Sequence, residues 1–151
     1  MTILYRYLRP KYYSFGRNVV KTEAKGGICF RLEAGHLTYS ICHPRQQFSK
    51  EQARLLADSR AKYSIGFMIP PEQSTLEQIC EEVLKLEEEW RTKGLESVSA
   101  QDLYLNAELG ILRQRVEEIQ ASHRRADHLN SLDRDTIEAL NFKRIYEKSS
   151  R

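Results

Sequence analysis

Missing from this chain is any apolar run approaching the roughly 18 residues that a membrane helix needs. The first residues, Met1-Thr2-Ile3-Leu4-Tyr5-Arg6, also lack the apolar stretch of a signal peptide. A cytoplasmic location with no membrane partner is therefore expected. Cysteine is scarce: Cys29, Cys42 and Cys80 form an odd, scattered set, which excludes a disulfide framework and fits a reducing compartment. Their ordinary role is as buried free thiols. There is no G-x-G-x-x-G fingerprint, no Walker loop and no G-x-S-x-G elbow. A zinc site drawn from Cys29, His36, Cys42 and His43 lacks C-x-x-C or H-x-x-x-H spacing. Cys42 and His43 are neighbours on a strand and point to opposite faces, so they cannot serve as a nucleophile and its base. The run Glu87-Glu88-Glu89 fans out around a helix axis and reads as a solvated face, not a catalytic carboxylate pair. The expectation is a non-enzymatic binding protein with no metal, no cofactor and no catalytic residues.

What is present is charge, at 30% of 151 residues, with 40% hydrophobic residues beside it. A chain of this size can bury most of a core without staples. The net charge of +3 hides a split. Residues 1–70 carry 12 Lys/Arg against 4 Asp/Glu, a balance of +8, whereas residues 71–151 carry 12 against 17, a balance of −5. This asymmetry fits an anionic partner meeting the first half, copies of the chain meeting head to tail, or a bias without a role.

The pattern predicts an α+β fold, with an N-terminal antiparallel sheet and one short helix, followed by long C-terminal helices. Residues 1–70 form a basic strand-rich region and 71–151 a helical region, together one compact domain whose last segment docks or stays mobile. Residues 2–8 are rich in β formers and stop at Pro10. Tyr12-Tyr13-Ser14-Phe15-Gly16 reads as an aromatic loop, Val19–Thr22 as a short strand and Gly26-Gly27 as a turn. Ile28–Leu32 and His36–Cys42, separated by Ala34-Gly35, read as a half-buried hairpin with Leu37, Tyr39 and Ile41 on one face. Ser49 and Gln52 form a capping box, and Phe48 with Ala53 a hydrophobic staple. That helix runs to about Lys62 with Ala53, Leu56, Ala57 and Arg60 on one side. Tyr63–Ile69 is a further strand candidate, and Pro70-Pro71 closes the region.

Ser74 and Glu77 read as a second capping box, before a helix with Leu76, Ile79, Cys80, Val83, Leu84 and Trp90 at helical spacing and an end at Lys93-Gly94. Ser99 caps the next helix. In it Leu105, Leu109, Leu112, Val116 and Ile119 step by 4, 3, 4 and 3. This short heptad seam suits an antiparallel pair or an oligomer contact, and a homo-oligomer is the expectation. Asp133–Lys148 is weakly amphipathic.

Two stretches carry candidate chemistry. Cys42-His43-Pro44-Arg45-Gln46-Gln47-Phe48-Ser49 joins a strand end at Pro44 to a helix N-terminus, where free N–H groups and the dipole favour phosphate. Arg45, Arg54 and Arg60 are the guanidinium groups expected near that phosphate, and Phe30 and Phe48 could flank a base. The alternative is a capped helix with solvated cations. Separately, Tyr5, Tyr7, Tyr12, Tyr13 and Phe15 interleave with Arg6, Arg9, Lys11 and Arg17, a mixture suited to base stacking with phosphate contact, or to half-core tyrosines.

The stretch Tyr39-Ser40-Ile41-Cys42-His43-Pro44-Arg45-Gln46-Gln47-Phe48-Ser49-Lys50, continuing through Ala53-Arg54 to Ala57-Asp58-Ser59-Arg60, resembles small phage and prophage proteins, among them the phage Thoeris anti-defence family of the first type. The pattern departs at Gln47 and at Gln52-Ala53, and residues after about 122 have no counterpart in it. The resemblance implies a sheet followed by long helices and assembly into oligomers in the host cytoplasm. It also implies sequestration of cyclic ADP-ribose-type signals without cleavage. Nucleic-acid binding through the basic half, and inhibition of a host enzyme through the C-terminal helices, are the alternatives.

Overall fold

The computed structural model describes residues 2–14, 19–93 and 100–131. Six strands and three helices follow in the order β1 (Leu4–Leu8), β2 (Lys11–Ser14), β3 (Val19–Thr22), β4 (Lys25–Glu33), β5 (His36–Gln47), α1 (Lys50–Lys62), β6 (Phe67–Met68), α2 (Leu76–Lys93) and α3 (Ala100–Ser131). The fold is α+β, as expected. Strands β1, β4, β5 and β6 form one antiparallel sheet in the order β1-β4-β5-β6, and β2 pairs with β3 in a separate ribbon. The tyrosines at 12 and 13 therefore stand in a strand, not a loop, paired with Lys21 and Val20. Phe15, Gly16 and Arg17 lie outside the described residues, as do Gly94, Ser99 and the segment Asp133–Lys148.

Gly26-Gly27 is not a turn. Both glycines lie inside β4, where the register with β5 shifts between Lys25 and Gly27. Their φ values of 75° and 139° are open to glycine and strained for other residues. The site is also crowded, because a Cβ on Gly27 would stand 2.9 Å from the Phe48 ring. The hairpin turn falls at Ala34-Gly35, with φ values of 50° and 82°, the paired positive angles of a tight turn whose twist matches its strands. Beyond it, β5 runs five residues past Cys42 to Gln47, so Pro44 is held within the strand, past its short pairing with β6, and does not end it.

The central strands are covered on both faces. Ile28, Phe30, Leu32, Leu37 and Tyr39 turn toward α2 and α3, and Cys29, Arg31, Thr38 and Ser40 turn toward α1. All of these are buried, which corrects the expectation of a half-buried hairpin. Helix α1 comes close because its buried residues are the small Ala53 and Ala57, and Ser40 Oγ donates to the Ala53 carbonyl at 2.7 Å. Leu56, expected beside them, is 57% exposed. Ser49 caps α1 by accepting from the Gln52 N–H at 3.3 Å. The cap of α2 is Thr75 instead of Ser74: Thr75 Oγ1 accepts from the Gln78 N–H, and the Gln78 side chain accepts from the Thr75 N–H, each at 3.2 Å. The reciprocal box is thus displaced by one residue.

Helices α2 and α3 lie antiparallel, since Glu87 meets Arg113 at 2.5 Å while Cys80 shares a cavity wall with Gln120. The Glu87 carboxylate is largely covered, so it departs from the solvated acidic face expected of 87–89. Leu109, Leu112, Val116 and Ile119 are completely buried in the core shared with the sheet and α2, with Leu105 packed against its margin. The heptad seam is consumed within the chain as an antiparallel pair, so these residues are not free to form the oligomer contact expected of them. Among the described residues, no helix is long and apolar enough to cross a membrane.

Candidate functional site

The strand–helix junction expected to hold an anion is a crevice of about 70 Å³ between β5 and α1. It is lined by Ser40, Ile41, Cys42, Gln46, Gln47, Ser49, Gln52, Ala53 and Leu56, with no charged side chain among them. The five residues proposed for it do not converge. Phe30 is fully buried on the α2/α3 side of the sheet, while Phe48 is buried on the α1 side. Arg60 forms an ion pair with Glu108 at 3.0 Å and lies 4.7 Å over the Tyr39 ring. Arg45 is exposed near the end of β5, its N–H donating to His43 Nδ1 at 3.1 Å. Arg54 lies over the Tyr5 and Tyr7 rings at 5.0 and 5.7 Å, and its Nε donates to the Tyr7 hydroxyl. Because β5 continues to Gln47, residues 43–47 stand in a strand and not in the expected loop.

A far larger cavity, about 550 Å³, opens along the outer edge of β1. Its walls come from both halves of the chain: Tyr5 through Arg9 of β1 and its exit, Lys11 of β2, Thr22 of β3, Lys50 at the start of α1, Leu76, Glu77 and Cys80 of α2, and Gln120 and His123 of α3. That volume is within the range of small-molecule sites. Among the described strands β1 pairs only with β4, so alternate backbone groups on its other side face the cleft.

Four cations line this cleft, Arg6, Arg9, Lys11 and Lys50, against one carboxylate, Glu77. Among the described residues none of the four has a carboxylate within 4.0 Å. Three of them, Arg6, Arg9 and Lys50, are held instead by neutral groups. Arg6 Nε donates to the Ser74 carbonyl at 3.1 Å and tethers the approach to α2 against β1. Arg9 Nη2 donates to the Glu23 carbonyl at 2.8 Å, and its guanidinium lies 4.6 Å over the Phe48 ring. Among the described residues the buried Nε of Arg9 has no hydrogen-bond partner. Lys50 Nζ stands 5.1 Å over the Tyr7 ring. Cation–π contact of this kind holds a charge in place without neutralising it.

From α3, His123 Nε2 lies 2.6 Å from the Arg9 carbonyl, and Ser122 Oγ accepts from the Lys11 N–H at 3.1 Å. A carbonyl can only accept, so Nε2 carries the proton. Beneath the tyrosine rings, Asp58 accepts from the Tyr5 hydroxyl at 2.6 Å and from Arg31 Nε at 2.8 Å. The hydrogen bond to Asp58, with burial next, raises the Tyr5 phenol above its ordinary range and keeps it a donor. Burial pushes the Cys80 thiol up to about 12 and Cys29 up to about 11, so both stay protonated at neutral pH. No group of three or more His, Cys, Asp or Glu able to hold a metal is found among the described residues.

The interleaving of Tyr5, Tyr7, Arg6, Arg9 and Lys11 was the sequence signal for this site. Glu77, Gln120 and His123 gave none, because they reach the cleft from helices more than 60 residues further along the chain. Compared with known proteins, the chain matches no family model, no curated protein and no solved structure.

Proposed function

We infer that the chain is a non-enzymatic binding protein that captures a phosphorylated, base-bearing small molecule in the cleft along β1. One observation carries this reading: four cations without carboxylate partners face a cavity of about 550 Å³ beside tyrosine rings on an open strand edge. Phosphate oxygens would complete the hydrogen bonding of guanidinium and ammonium groups, and a base can stack where ring faces and backbone are exposed. The resemblance across Tyr39–Arg60 supplies a setting for such capture, the sequestration of a nucleotide-derived immune signal by a phage protein in the host cytoplasm.

Calorimetry with ADP, ADP-ribose, cyclic AMP and pyrophosphate tests the reading. Lys11→Ala and Lys50→Ala, each removing one cation, are expected to weaken binding about tenfold or more, the scale of a charged hydrogen bond. Arg45→Ala, outside the cleft, leaves it unchanged. Ligand released by heating should have the mass of the ligand added. Equal binding by all variants rejects the cleft, and a changed mass rejects capture without turnover.

A second reading rests on the balance of +8 over residues 1–70 and on the openness of the β1 edge. Single-stranded nucleic acid would place phosphates on the same cations, with affinity falling steeply as salt rises. Sequence-selective binding that persists at physiological salt would put this reading first.

A further inference from the structure

The one carboxylate that lines the cleft among the described residues is out of place in a simple anion site. Glu77 lies in the first turn of α2 and lines the same cavity as Arg6, Arg9, Lys11 and Lys50. No Lys or Arg among the described residues lies within 4.0 Å of it. The N-terminal end of a helix steadies a carboxylate without consuming its lone pairs. Arg6, by donating to the Ser74 carbonyl three residues upstream, holds this end of α2 against β1 and so keeps Glu77 on the cleft wall. A negative charge there opposes any ligand that is phosphate alone. It favours a ligand that brings hydroxyl donors alongside its phosphates, because a carboxylate accepts two O–H bonds from a vicinal diol, as acidic residues do for ribose in dinucleotide sites.

We propose that Glu77 is the specificity residue of the cleft and that the ligand class is a ribonucleotide with a free 2′,3′-diol, the phosphates lying toward Lys11 and Lys50 and the ribose toward α2. This rests on the reading of the cleft as a nucleotide site and adds to it which nucleotides are accepted.

The test is calorimetry of the wild-type chain and Glu77→Gln with ADP, 2′,3′-dideoxy-ADP and inorganic pyrophosphate. Gln keeps the shape of Glu, and thermal melts of both proteins verify that the fold is retained. Wild type is expected to prefer ADP over the dideoxy compound about ten- to a hundredfold, the scale of one charged hydrogen bond or two weaker ones. Glu77→Gln is expected to lose most of that preference and to bind pyrophosphate more tightly than wild type. If wild type binds both nucleotides equally, or if Glu77→Gln keeps the preference, the assignment of Glu77 is overturned while the cleft stands. If no probe binds either protein, the cleft reading falls and this inference with it.

Discussion

On the side of the sheet covered by α2 and α3, Ile28, Phe30, Leu32, Leu37 and Tyr39 meet Ile79, Val83, Leu109, Leu112 and Val116 in one apolar cluster. On the side covered by α1, the same two strands present Cys29, Arg31, Thr38 and Ser40, and the helix answers with two alanines. The first face closes by area, which is non-directional and tolerant of small shifts. The second closes by partners: Ser40 with the Ala53 carbonyl, and Arg31 with Asp58 and Glu33. Buried polar groups demand matched geometry, so the α1 face specifies position more than it supplies stability. The tyrosines that line the cleft, Tyr5 and Tyr7, belong to this second face. Leu76, Glu77 and Cys80 reach the same cleft from α2, on the apolar side, so the cleft lies where the two faces meet at the edge of the sheet.

The largest expected effect is on the apolar side. Leu112→Ala should cost about 2–5 kcal/mol, the range for a fully buried leucine, read from urea unfolding. Asp58→Ala on the polar side leaves the Arg31 guanidinium and the Tyr5 hydroxyl without their shared acceptor. It should cost about 1–3 kcal/mol by the same measurement, and a loss as large as that of Leu112→Ala would erase the distinction between the faces. The third effect is a slope with pH. Burial pushes the Glu108 carboxyl up, but the Tyr39 hydroxyl and the Arg60 guanidinium outweigh it and hold the group below its ordinary 4.5. A lowered carboxyl contributes stability above its unfolded value and loses it as the pH falls through the folded one. Unfolding between pH 6 and pH 2 should therefore be less acid-sensitive in Glu108→Gln than in wild type, the difference developing below about 4.5. The smallest effect is at Leu56, exposed on α1, where Leu56→Gln should change stability by no more than about 0.5 kcal/mol. A larger loss would return Leu56 to the core face that its spacing predicts.

How much of this could be read beforehand differs between the same two regions. The apolar face was legible, because helical spacing identified Ile79, Cys80 and Val83, and the heptad steps identified Leu109 through Ile119. What the heptad could not tell was its partner, since a leucine seam is equally satisfied by a neighbouring helix, a sheet or a second chain. Arg31 and Ser40 read as solvent-facing for a physical reason: burying them depends on Asp58 and on the closeness that Ala53 permits, both distant in sequence. The site was half legible. Tyr5, Arg6, Tyr7, Arg9 and Lys11 lie close together and announced themselves, while the wall opposite them comes from α2 and α3. The phosphate site expected at Cys42–Ser49 failed because local rules stopped the strand at Pro44, and pairing of Gln47 with Lys25 carried it on.

The exposed edge of β1 has a colloidal consequence. An unpaired strand rim is a template on which a second copy can add its own rim, and repetition of that step gives fibres. Here the rim is ringed by Arg6, Arg9, Lys11 and Lys50, so two copies approaching through it repel one another. On the proposed function, a polyanion bound in the cleft would cancel that repulsion. The loaded protein would then be the form with less protection against strand-to-strand stacking, and the charges proposed to attract the ligand would also keep the empty protein dispersed.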